Sequence, residues 1–390
     1  MNELDYLIAG GGIAGLASGL ALARAGKPAR IFEQHDSFSE VGAGLQISPN
    51  AVAALRWLGA WEELERTCVI PVEIHVRDGL SGKIIQRIKL GKRFESRYRA
   101  PYRVAHRADL LAALLAAVKR APGITLETRH RAISTEGNKL VFADGTAASG
   151  AAIIAADGVH SVLRQQHYPG SAPKPRGHML YRTLIPFSRV PFGVEPECIT
   201  LWLYPGAHVV HYAVSNWKRF NIVATIETPG LAQGYRTHGE SGDIRKAFDR
   251  AAGPLQSILS APSAWRIWTG ADIDPLPEWS QGTFTLIGDA AHATLPYLAQ
   301  GAAMSLEDAC VLGSSLMRYE NTAQAFAVYA DARRARTSKI LLESRRLGGV
   351  YHATGIRATA RTMALKIMGK SYALRRNDWI YSWRSPQTVR

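Results

Sequence analysis

Three glycines near the N-terminus have the spacing of a phosphate-binding turn. Gly10, Gly12 and Gly15 form G-x-G-x-x-G directly after the apolar run YLIA and directly before a helix-like stretch. In such a strand–turn–helix unit the first glycine permits the tight turn, the second lets the backbone approach a pyrophosphate, and the third lets the helix pack on the strand. We therefore interpret this glycine pattern as a dinucleotide-binding fingerprint. We predict that a dinucleotide binds here and that Ala14, within the turn, belongs to the site.

A carboxylate follows at the distance that such a site uses. Glu33 ends the next strand-like stretch, twenty-three residues after Gly10. A carboxylate there can accept hydrogen bonds from both ribose hydroxyls of an adenosine. We assign Glu33 and the following Gln34 to the same site. The fingerprint alone does not decide between FAD and NAD.

Two polar aromatic residues share one face of a later strand-like segment. In LWLYPGAHVVHYAV, His208 and Tyr212 are four residues apart and so lie on one face with Val210, while His211 points the other way. A histidine with a pKa near ~6.5 can accept and return a proton at neutral pH.

Two acidic motifs, each after an apolar strand-like segment, select the cofactor. Asp157-Gly158 and Gly288-Asp289 both have this context, and a dehydrogenase that binds only NAD has no use for the second. With the three motifs in this order, the sequence resembles the single-component FAD-dependent aromatic hydroxylases, which include salicylate, 3-hydroxybenzoate and 6-hydroxynicotinate hydroxylases. The resemblance covers the chain from Gly10 to about Arg346.

The resemblance implies which residues hold FAD. It implies that Asp289 binds the ribityl chain, that Asp157 serves both FAD and NAD(P)H, and that Arg107 reaches the phosphate and ribityl region. A surface cation before a helix is the alternative for Arg107. Gly301 and Ala302 open a helix whose free amides and dipole would favour negative charge on reduced flavin. Because FAD would occupy the one fingerprint, NADH or NADPH must bind transiently elsewhere.

The resemblance also indicates the substrate end of the site. It implies that Pro296 lies along the flavin edge and that His208 and Tyr212 face the substrate ring. We predict that His208 takes the phenolic proton, because a phenolate reacts more readily with the electrophilic flavin C4a-hydroperoxide, and that Tyr212 orients the ring. A hydrogen-bonded core histidine is the alternative, and for His211 we prefer it.

One position separates members of the family. Gln46 follows GAGL, as a glutamine does in the 3-hydroxybenzoate enzymes, whereas the 6-hydroxynicotinate enzyme has a histidine there. We count Gln46 and Pro296 as substrate residues, although the 3-hydroxybenzoate class has a glutamine in the region of Pro296.

The resemblance carried by these residues implies a monooxygenase of the EC 1.14.13 type that acts in aromatic compound catabolism. Its substrate would be a small phenolic acid of the salicylate or 3-hydroxybenzoate class, hydroxylated with O2 and NAD(P)H. The alternatives are a hydroxylase of another ring (hydroxynicotinate, a quinone precursor or another heteroaromatic), a flavin oxidase, and a flavoprotein that binds a ligand or partner without turnover.

The segments that position these residues indicate an α/β fold. A βαβ unit spans 5–33, a helix-like stretch spans 109–119, and strand-like segments predominate at 72–90 and 176–270. We predict a Rossmann-like FAD-binding domain, with helices on a parallel sheet in three layers, plus a β-sheet substrate domain and a C-terminal helical segment. Their predicted limits are 1–71, 100–175 and 275–346 for the first, 72–99 and 176–274 for the second, and 347–390 for the third.

Charge and composition argue against other classes of protein. Of the net charge of +15, fourteen Lys and Arg against three acids put +11 between 331 and 390, yet no nucleic-acid-reading motif accompanies this basic tail. No apolar run approaches the ~18 residues of a membrane helix. The three cysteines stand far apart and form no CxxC pair, so we predict buried thiols and no metal site. We expect a cytoplasmic enzyme and leave open whether it forms a homodimer.

Overall fold

The computed structural model describes residues 4–38, 42–228, 238–239, 241–368 and 375–387. In chain order the elements are β1 (Tyr6–Ala9), α1 (Ile13–Arg24), β2 (Ala29–Phe32), β3 (Gly44–Ile47), α2 (Pro49–Leu58), α3 (Trp61–Glu65), β4 (Glu73–Asp78), β5 (Ile84–Lys89), α4 (Lys92–Tyr98), β6 (Arg103–His106), α5 (Arg107–Arg120), β7 (Ile124–Glu127), β8 (Ala132–Glu136), β9 (Lys139–Phe142), β10 (Ala147–Ser149), β11 (Ala152–Ala155), α6 (Val162–His167), β12 (Lys174–Pro186), β13 (Cys198–Tyr204), β14 (Ala207–Val214), β15 (Arg219–Glu227), β16 (His238–Gly239), α7 (Ser241–Ala247), α8 (Gly253–Ser260), β17 (Trp265–Asp272), β18 (Ser280–Gln281), β19 (Phe284–Leu286), α9 (Asp289–His292), α10 (Gly301–Arg318), α11 (Thr322–Tyr351), α12 (Gly355–Ile367) and α13 (Asp378–Tyr381).

The first sheet brings the three sequence motifs together. Its strand order is β18-β19-β11-β1-β2-β7, and every pair is parallel except β18 with β19. β1 and β11 are apolar and buried along their whole length, as expected for strands covered on both faces. Because β1, β11 and β19 are parallel, Gly10, Asp157 and Gly288 all follow strand ends at the same edge of the sheet. The predicted α/β fold with its βαβ unit is confirmed.

The second sheet carries the substrate side. Its order is β16-β17-β12-β15-β14-β13-β4-β5, antiparallel throughout except for β13 with β4. The strand-like segments predicted at 72–90 and 176–270 do contain strands of this sheet, among them β4 and β5 in the first and β13 in the second. β14 lies inside this sheet, with His208 opposite Thr225 and Tyr212 opposite Asn221 on β15. The domain limits given above stay predictions.

The C-terminal part of the chain packs on the body. α11 runs from Thr322 to Tyr351 and so continues through the limit predicted at 346. Arg336 on this helix donates hydrogen bonds to the carbonyls of Trp379 (2.6 Å) and Ile380 (2.9 Å) in α13. Asp378 accepts a hydrogen bond from Tyr98 Oη at 2.6 Å. The position of residues 369–374 and 388–390 of the predicted basic segment lies outside the described residues.

The structure bears on two predictions that were made from composition, one about the cysteines and one about membrane helices. The thiols of Cys68, Cys198 and Cys310 are buried and unpaired, as predicted. Among the described residues, no helix has both the length and the apolar character needed to cross a membrane.

Candidate active site

A long cleft runs along the edge of the first sheet and reaches the inner face of the second. One end is lined by the glycine turn and the end of β2, and the other by residues of β3, β12, β14 and β15. All the predicted site residues line it except Gly15. They are Gly10, Gly12, Ala14, Glu33, Gln34, Gln46, Arg107, Asp157, His208, Tyr212, Asp289, Pro296, Gly301 and Ala302.

The glycine turn has the shape that the fingerprint predicts. Gly10 has a φ of 110°, and a β-carbon there would lie 2.4 Å from the Ala156 carbonyl oxygen. A β-carbon on Gly15 would lie 1.8 Å from Gly10 O, so Gly15 acts by letting α1 approach the strand. A β-carbon on Gly12 would meet no atom of the described residues within 4 Å. That open space above the turn is room for a phosphate group.

Glu33 is held in place at the same end of the cleft. Its Oε2 accepts a hydrogen bond from the Gly11 amide (2.9 Å) and its Oε1 one from the His35 amide (3.0 Å). Each carboxylate oxygen has a second lone pair, so the fixed side chain can still accept from ribose hydroxyls.

Asp157 presents a buried oxygen to the cleft. Its Oδ2 accepts from the Leu163 amide at 3.3 Å, while Oδ1 has no hydrogen-bond partner in the described part of the chain. Burial raises the pKa of this carboxyl. A hydroxyl or amide of a bound ligand would satisfy the unpaired atom.

A buried arginine that the sequence analysis did not single out joins the two acidic motifs. Arg164, on α6, donates to Val159 O (2.7 Å) and to Ala290 O (3.1 Å). It therefore fixes the loop of Asp157 relative to the turn of Asp289. Its only sequence signal is its place seven residues after Asp157 in the same motif.

A second buried network, also missed, supports the turn before Asp289. Asp308 on α10 accepts from the Gly288 amide (3.2 Å) and from Arg333 Nε (2.6 Å), and its Oδ2 lies 2.5 Å from His292 Nε2. Burial would raise the pKa of Asp308, but His292 and Arg333 outweigh it and the pKa is lowered. The sequence feature that could have revealed this network is a pair of adjacent acidic residues inside an otherwise apolar helix.

The start of α10 faces the same cleft. Gly301 and Ala302 line it, and no side chain among the residues described caps this helix. The preceding Gln300 turns inward instead, where its Nε2 donates to Ser48 Oγ at 3.1 Å. The first amides of α10 therefore form a positive helix end on the cleft.

These features together fit FAD. The cleft offers a ribose-binding carboxylate at one end, a helix N-terminus at the other, and the glycine turn between them, together with an unpaired buried carboxylate oxygen. Arg107 lines both halves of the cleft, at the place where a linking pyrophosphate would lie. Such a cofactor would bring its redox-active ring to the α10 end, beside β14.

The β14 residues alternate as predicted. His208, Val210 and Tyr212 line the cleft. His211 lies in the opposite core, where its Nε2 accepts a 2.9 Å hydrogen bond from Trp202 Nε1, and burial lowers its pKa to about 3. His208 is also buried, and burial first, then His352, keeps its pKa well below the ordinary value.

Gln46 and Pro296 stand where the cleft opens into a second cavity. Both residues, with His208, line the two spaces. Gln46 Oε1 accepts a 2.6 Å hydrogen bond from Tyr102 Oη, which also lines the second cavity. The rest of that cavity is largely apolar and ends at the C-terminal segment, with lining residues that include Ile74, Val76, Leu201, Leu203, Leu365 and Met368.

Arg182 on β12 is the cation in the cleft that the sequence analysis missed. It lines the cleft with Tyr212, and its Nε has no hydrogen-bond partner within the ranges described. Its guanidinium lies 5.3 Å over the Trp268 ring. Burial lowers its pKa, yet the guanidinium keeps its charge at neutral pH. A half-buried arginine in a ligand cleft, with its Nε unsatisfied within the described residues, is a ready partner for an anionic group.

The chain matches known proteins over most of its length. A family model described as an FAD binding domain matches residues 3–344. The 3-hydroxybenzoate 6-hydroxylase of Polaromonas naphthalenivorans (strain CJ2) is 35% identical over 386 residues, which cover 98% of this chain and 96% of that protein. HpxO of Klebsiella pneumoniae, solved with FAD and uric acid, superposes with a TM-score of 0.86 at 25% identity over 98% of this chain and 97% of that one. A salicylate hydroxylase substrate complex gives a TM-score of 0.82 at 25% identity over 99% of both chains.

Proposed function

Because this chain belongs to the family of FAD-dependent aromatic-ring monooxygenases, we propose that it hydroxylates a small phenolic acid of the salicylate or 3-hydroxybenzoate class. FAD is its cofactor, and the reaction it catalyses is an aromatic hydroxylation. The finer proposal is that NADH or NADPH supplies the electrons and O2 the inserted oxygen, by the route described for the family above.

One observation carries the choice of a phenolic substrate. His208 lines the cleft at the point where it meets the second cavity, beside Pro296 at the end that fits the flavin ring. A ring bound there would have an imidazole within reach on one side and the flavin edge on the other. A proton acceptor next to the ring is what activation of a phenol requires.

His208 and Tyr212 have different roles in the proposed reaction. His208 is neutral because burial lowers its pKa, which leaves a ring nitrogen unprotonated to receive the phenolic proton but makes the ring a weaker base than the ordinary histidine expected from the sequence. Tyr212 stays protonated, because burial raises its pKa, and it can donate a hydrogen bond to the ring substituent. The bound flavin would supply the electrophilic oxygen.

Arg182 supports an acid as substrate. It is the unpaired cation described above, and it lines the cleft together with Tyr212. A carboxylate on the ring would pair with it through charge-assisted hydrogen bonds. Where the cleft meets the second cavity, Gln46 accepts a hydrogen bond from Tyr102, and this pair of polar groups would meet the ring edge.

A second candidate follows from the apolar cavity. The space beyond Gln46 and Pro296 is lined by aliphatic side chains and extends to Leu365 and Met368. A ring with an apolar substituent, such as a quinone precursor, would fill it where a simple hydroxybenzoate would not. In that case His208 would keep its role and Arg182 would not contact the substrate.

The two candidates are separated by a turnover experiment. FAD-loaded protein is mixed with NADH or NADPH and a panel of salicylate, 3- and 4-hydroxybenzoate, 6-hydroxynicotinate, and neutral phenols with and without an alkyl chain. We expect one hydroxybenzoate to stimulate oxidation of the reduced nicotinamide and to yield a hydroxylated product. Stimulation by alkylphenols alone would replace the first candidate by the second, and stimulation by none would contradict both.

A further inference from the structure

Three histidines and a glutamate meet behind the substrate end of the cleft. His208 comes from β14, and β12 and β15 place His178 opposite Glu227 in the same sheet. His352 follows the last residue of α11, and its carbonyl accepts a 3.0 Å hydrogen bond from the Gly206 amide, which fixes it against the turn before β14. The cluster therefore joins the C-terminal end of α11 to the end of the sheet.

The contacts within this cluster form a line. His208 Nδ1 lies 2.8 Å from His352 Nε2, a hydrogen bond between two buried rings. The other ring nitrogen of His352, Nδ1, lies 3.3 Å from Glu227 Oε1. The side chain of His352 is 0% exposed and that of Glu227 is 41% exposed. The line thus starts at a residue of the substrate cavity and ends at solvent.

We propose that His352 and Glu227 relay the phenolic proton from His208 to solvent, an inference that rests on the proposed role of His208 as the base. The substrate O–H bond breaks as its proton joins His208 Nε2. The proton on His208 Nδ1 moves to His352 Nε2, and the proton on His352 Nδ1 moves to Glu227. The net change turns a phenol and a carboxylate into a phenolate and a carboxylic acid, and Glu227 then releases its proton to water.

This relay needs no oxidant or other reactant, and it resets itself. Each imidazole ends with its proton on the other nitrogen. When the product leaves as a phenol, its oxygen takes a proton by the reverse passage, which restores both tautomers. The final contact at 3.3 Å has an angle outside hydrogen-bond range, so the half-exposed Glu227 side chain must rotate slightly to complete it.

The buried surroundings of His208 and His352 disfavour the protonated form of either ring, so a proton that reaches one of them must pass to the next group in the line. Burial, reinforced by neighbouring histidines, keeps the pKa of His208 well below its ordinary value and lowers that of His352 to about 3. Neither ring can therefore store the proton as an imidazolium at neutral pH. Burial raises the pKa of Glu227, which makes it the better acceptor at the end of the line.

A metal ion is the competing explanation of the same cluster. His178, Glu227 and His352 offer ligand atoms that lie within 4.8 Å of one another. The two explanations exclude each other, because a metal on His352 Nδ1 would leave no proton there to pass on. The metal content of the purified protein therefore separates them.

The test follows phenolate formation in the oxidised, FAD-loaded enzyme, without NAD(P)H. 3-Hydroxybenzoate is mixed rapidly with the protein, and the ultraviolet absorbance of its phenolate is recorded. The variants are His352→Gln, which keeps a hydrogen-bond partner for His208 but cannot relay, and Glu227→Gln at the exposed end. His178→Gln is the matched control, since its ring lies 5.3 Å from that of His352 but off the line.

We expect the rate of phenolate formation to fall at least tenfold in His352→Gln and several-fold in Glu227→Gln. Ligand affinity and FAD content should stay unchanged in both variants. The rate in the control His178→Gln should lie within twofold of the wild-type rate. Wild-type rates in both relay variants would overturn the relay. So would stoichiometric zinc in the purified protein that Glu227→Gln no longer binds. Failure of the proposed function would look different, because the wild type itself would then form no phenolate, or His208→Gln would form it normally.

Discussion

Gly15 approaches Gly10 so closely that a β-carbon on Gly15 would lie 1.8 Å from the Gly10 carbonyl oxygen. Three residues earlier in the chain, a β-carbon on Gly12 would meet no atom of the described residues within 4 Å. The two glycines of one fingerprint therefore have different tasks. Gly15 lets the protein pack on itself, and Gly12 leaves space for what the protein binds.

Alanine substitutions separate these tasks. Gly15→Ala forces α1 away from the strand. As in other overpacked cores, we expect the unfolding free energy of the apoprotein to fall by about 3 kcal/mol, and we expect the variant to bind FAD poorly. Gly12 has a φ of −75°, which alanine adopts readily, so Gly12→Ala should leave apoprotein stability unchanged while FAD affinity falls at least ~10-fold. Flavin content and thermal unfolding of the apoprotein measure both effects. Normal flavin content in Gly12→Ala would contradict a pyrophosphate at this turn.

The base assigned on β14 is tested against its neighbour on the opposite face. His208→Gln removes the proton acceptor, and we expect kcat for the aromatic acid to fall about 10²- to 10⁴-fold, the range typical of general-base removal. His211→Gln should leave kcat within about twofold, because His211 contacts Trp202 and not the cleft. Steady-state rates with product quantification give the comparison. Equal losses in both variants would point to damage to the sheet rather than to loss of a base.

Local patterns in the sequence predicted the parts of the site that depend on chain-local geometry. Period-two alternation placed His208, Val210 and Tyr212 on one face, and each glycine or acidic motif followed a strand that could be recognised by its apolar run. The roles of these residues at the substrate end stay predictions.

The parts that were missed depend on contacts between distant segments. Arg164 works through Ala290, 126 residues away, and its place in the motif of Asp157 does not reveal that partner. His352 works through His208, 144 residues away, and has no distinguishing sequence context. Arg182 lies on a long strand with a register shift between Pro175 and His178. Because of this shift, alternation along the sequence does not predict on which face of the sheet the Arg182 side chain lies. Buried charge acquires its partners only when the chain is folded.

Arg182 predicts how the enzyme separates acids from neutral phenols. If its guanidinium pairs with the ring carboxylate, Arg182→Gln should raise KM for the acid about 10- to 100-fold, which corresponds to the loss of ~1.4–2.8 kcal/mol for a charge-assisted hydrogen bond. KM for a neutral phenol should not change. The matched variant Arg182→Lys should recover part of the affinity, since it keeps the charge but loses the planar geometry. A loss of flavin with equal effects on both substrates would assign Arg182 to the cofactor instead.

The stability of the fold should fall on acidification because buried histidines must stay neutral. His211 is 1% exposed, and burial, with Arg77 nearby, lowers its pKa to about 3. In the unfolded chain it would take up a proton near pH ~6.5, so between those values the unfolded state binds more protons and acid favours unfolding. His211→Gln should therefore reduce the slope of unfolding free energy against pH by about 1.4 kcal/mol per pH unit between pH 6 and 4. Urea titrations across this range measure the slope, with His35→Gln as the control at an exposed histidine. The same slope in wild type and His211→Gln would mean that this ring already carries a proton in the folded state.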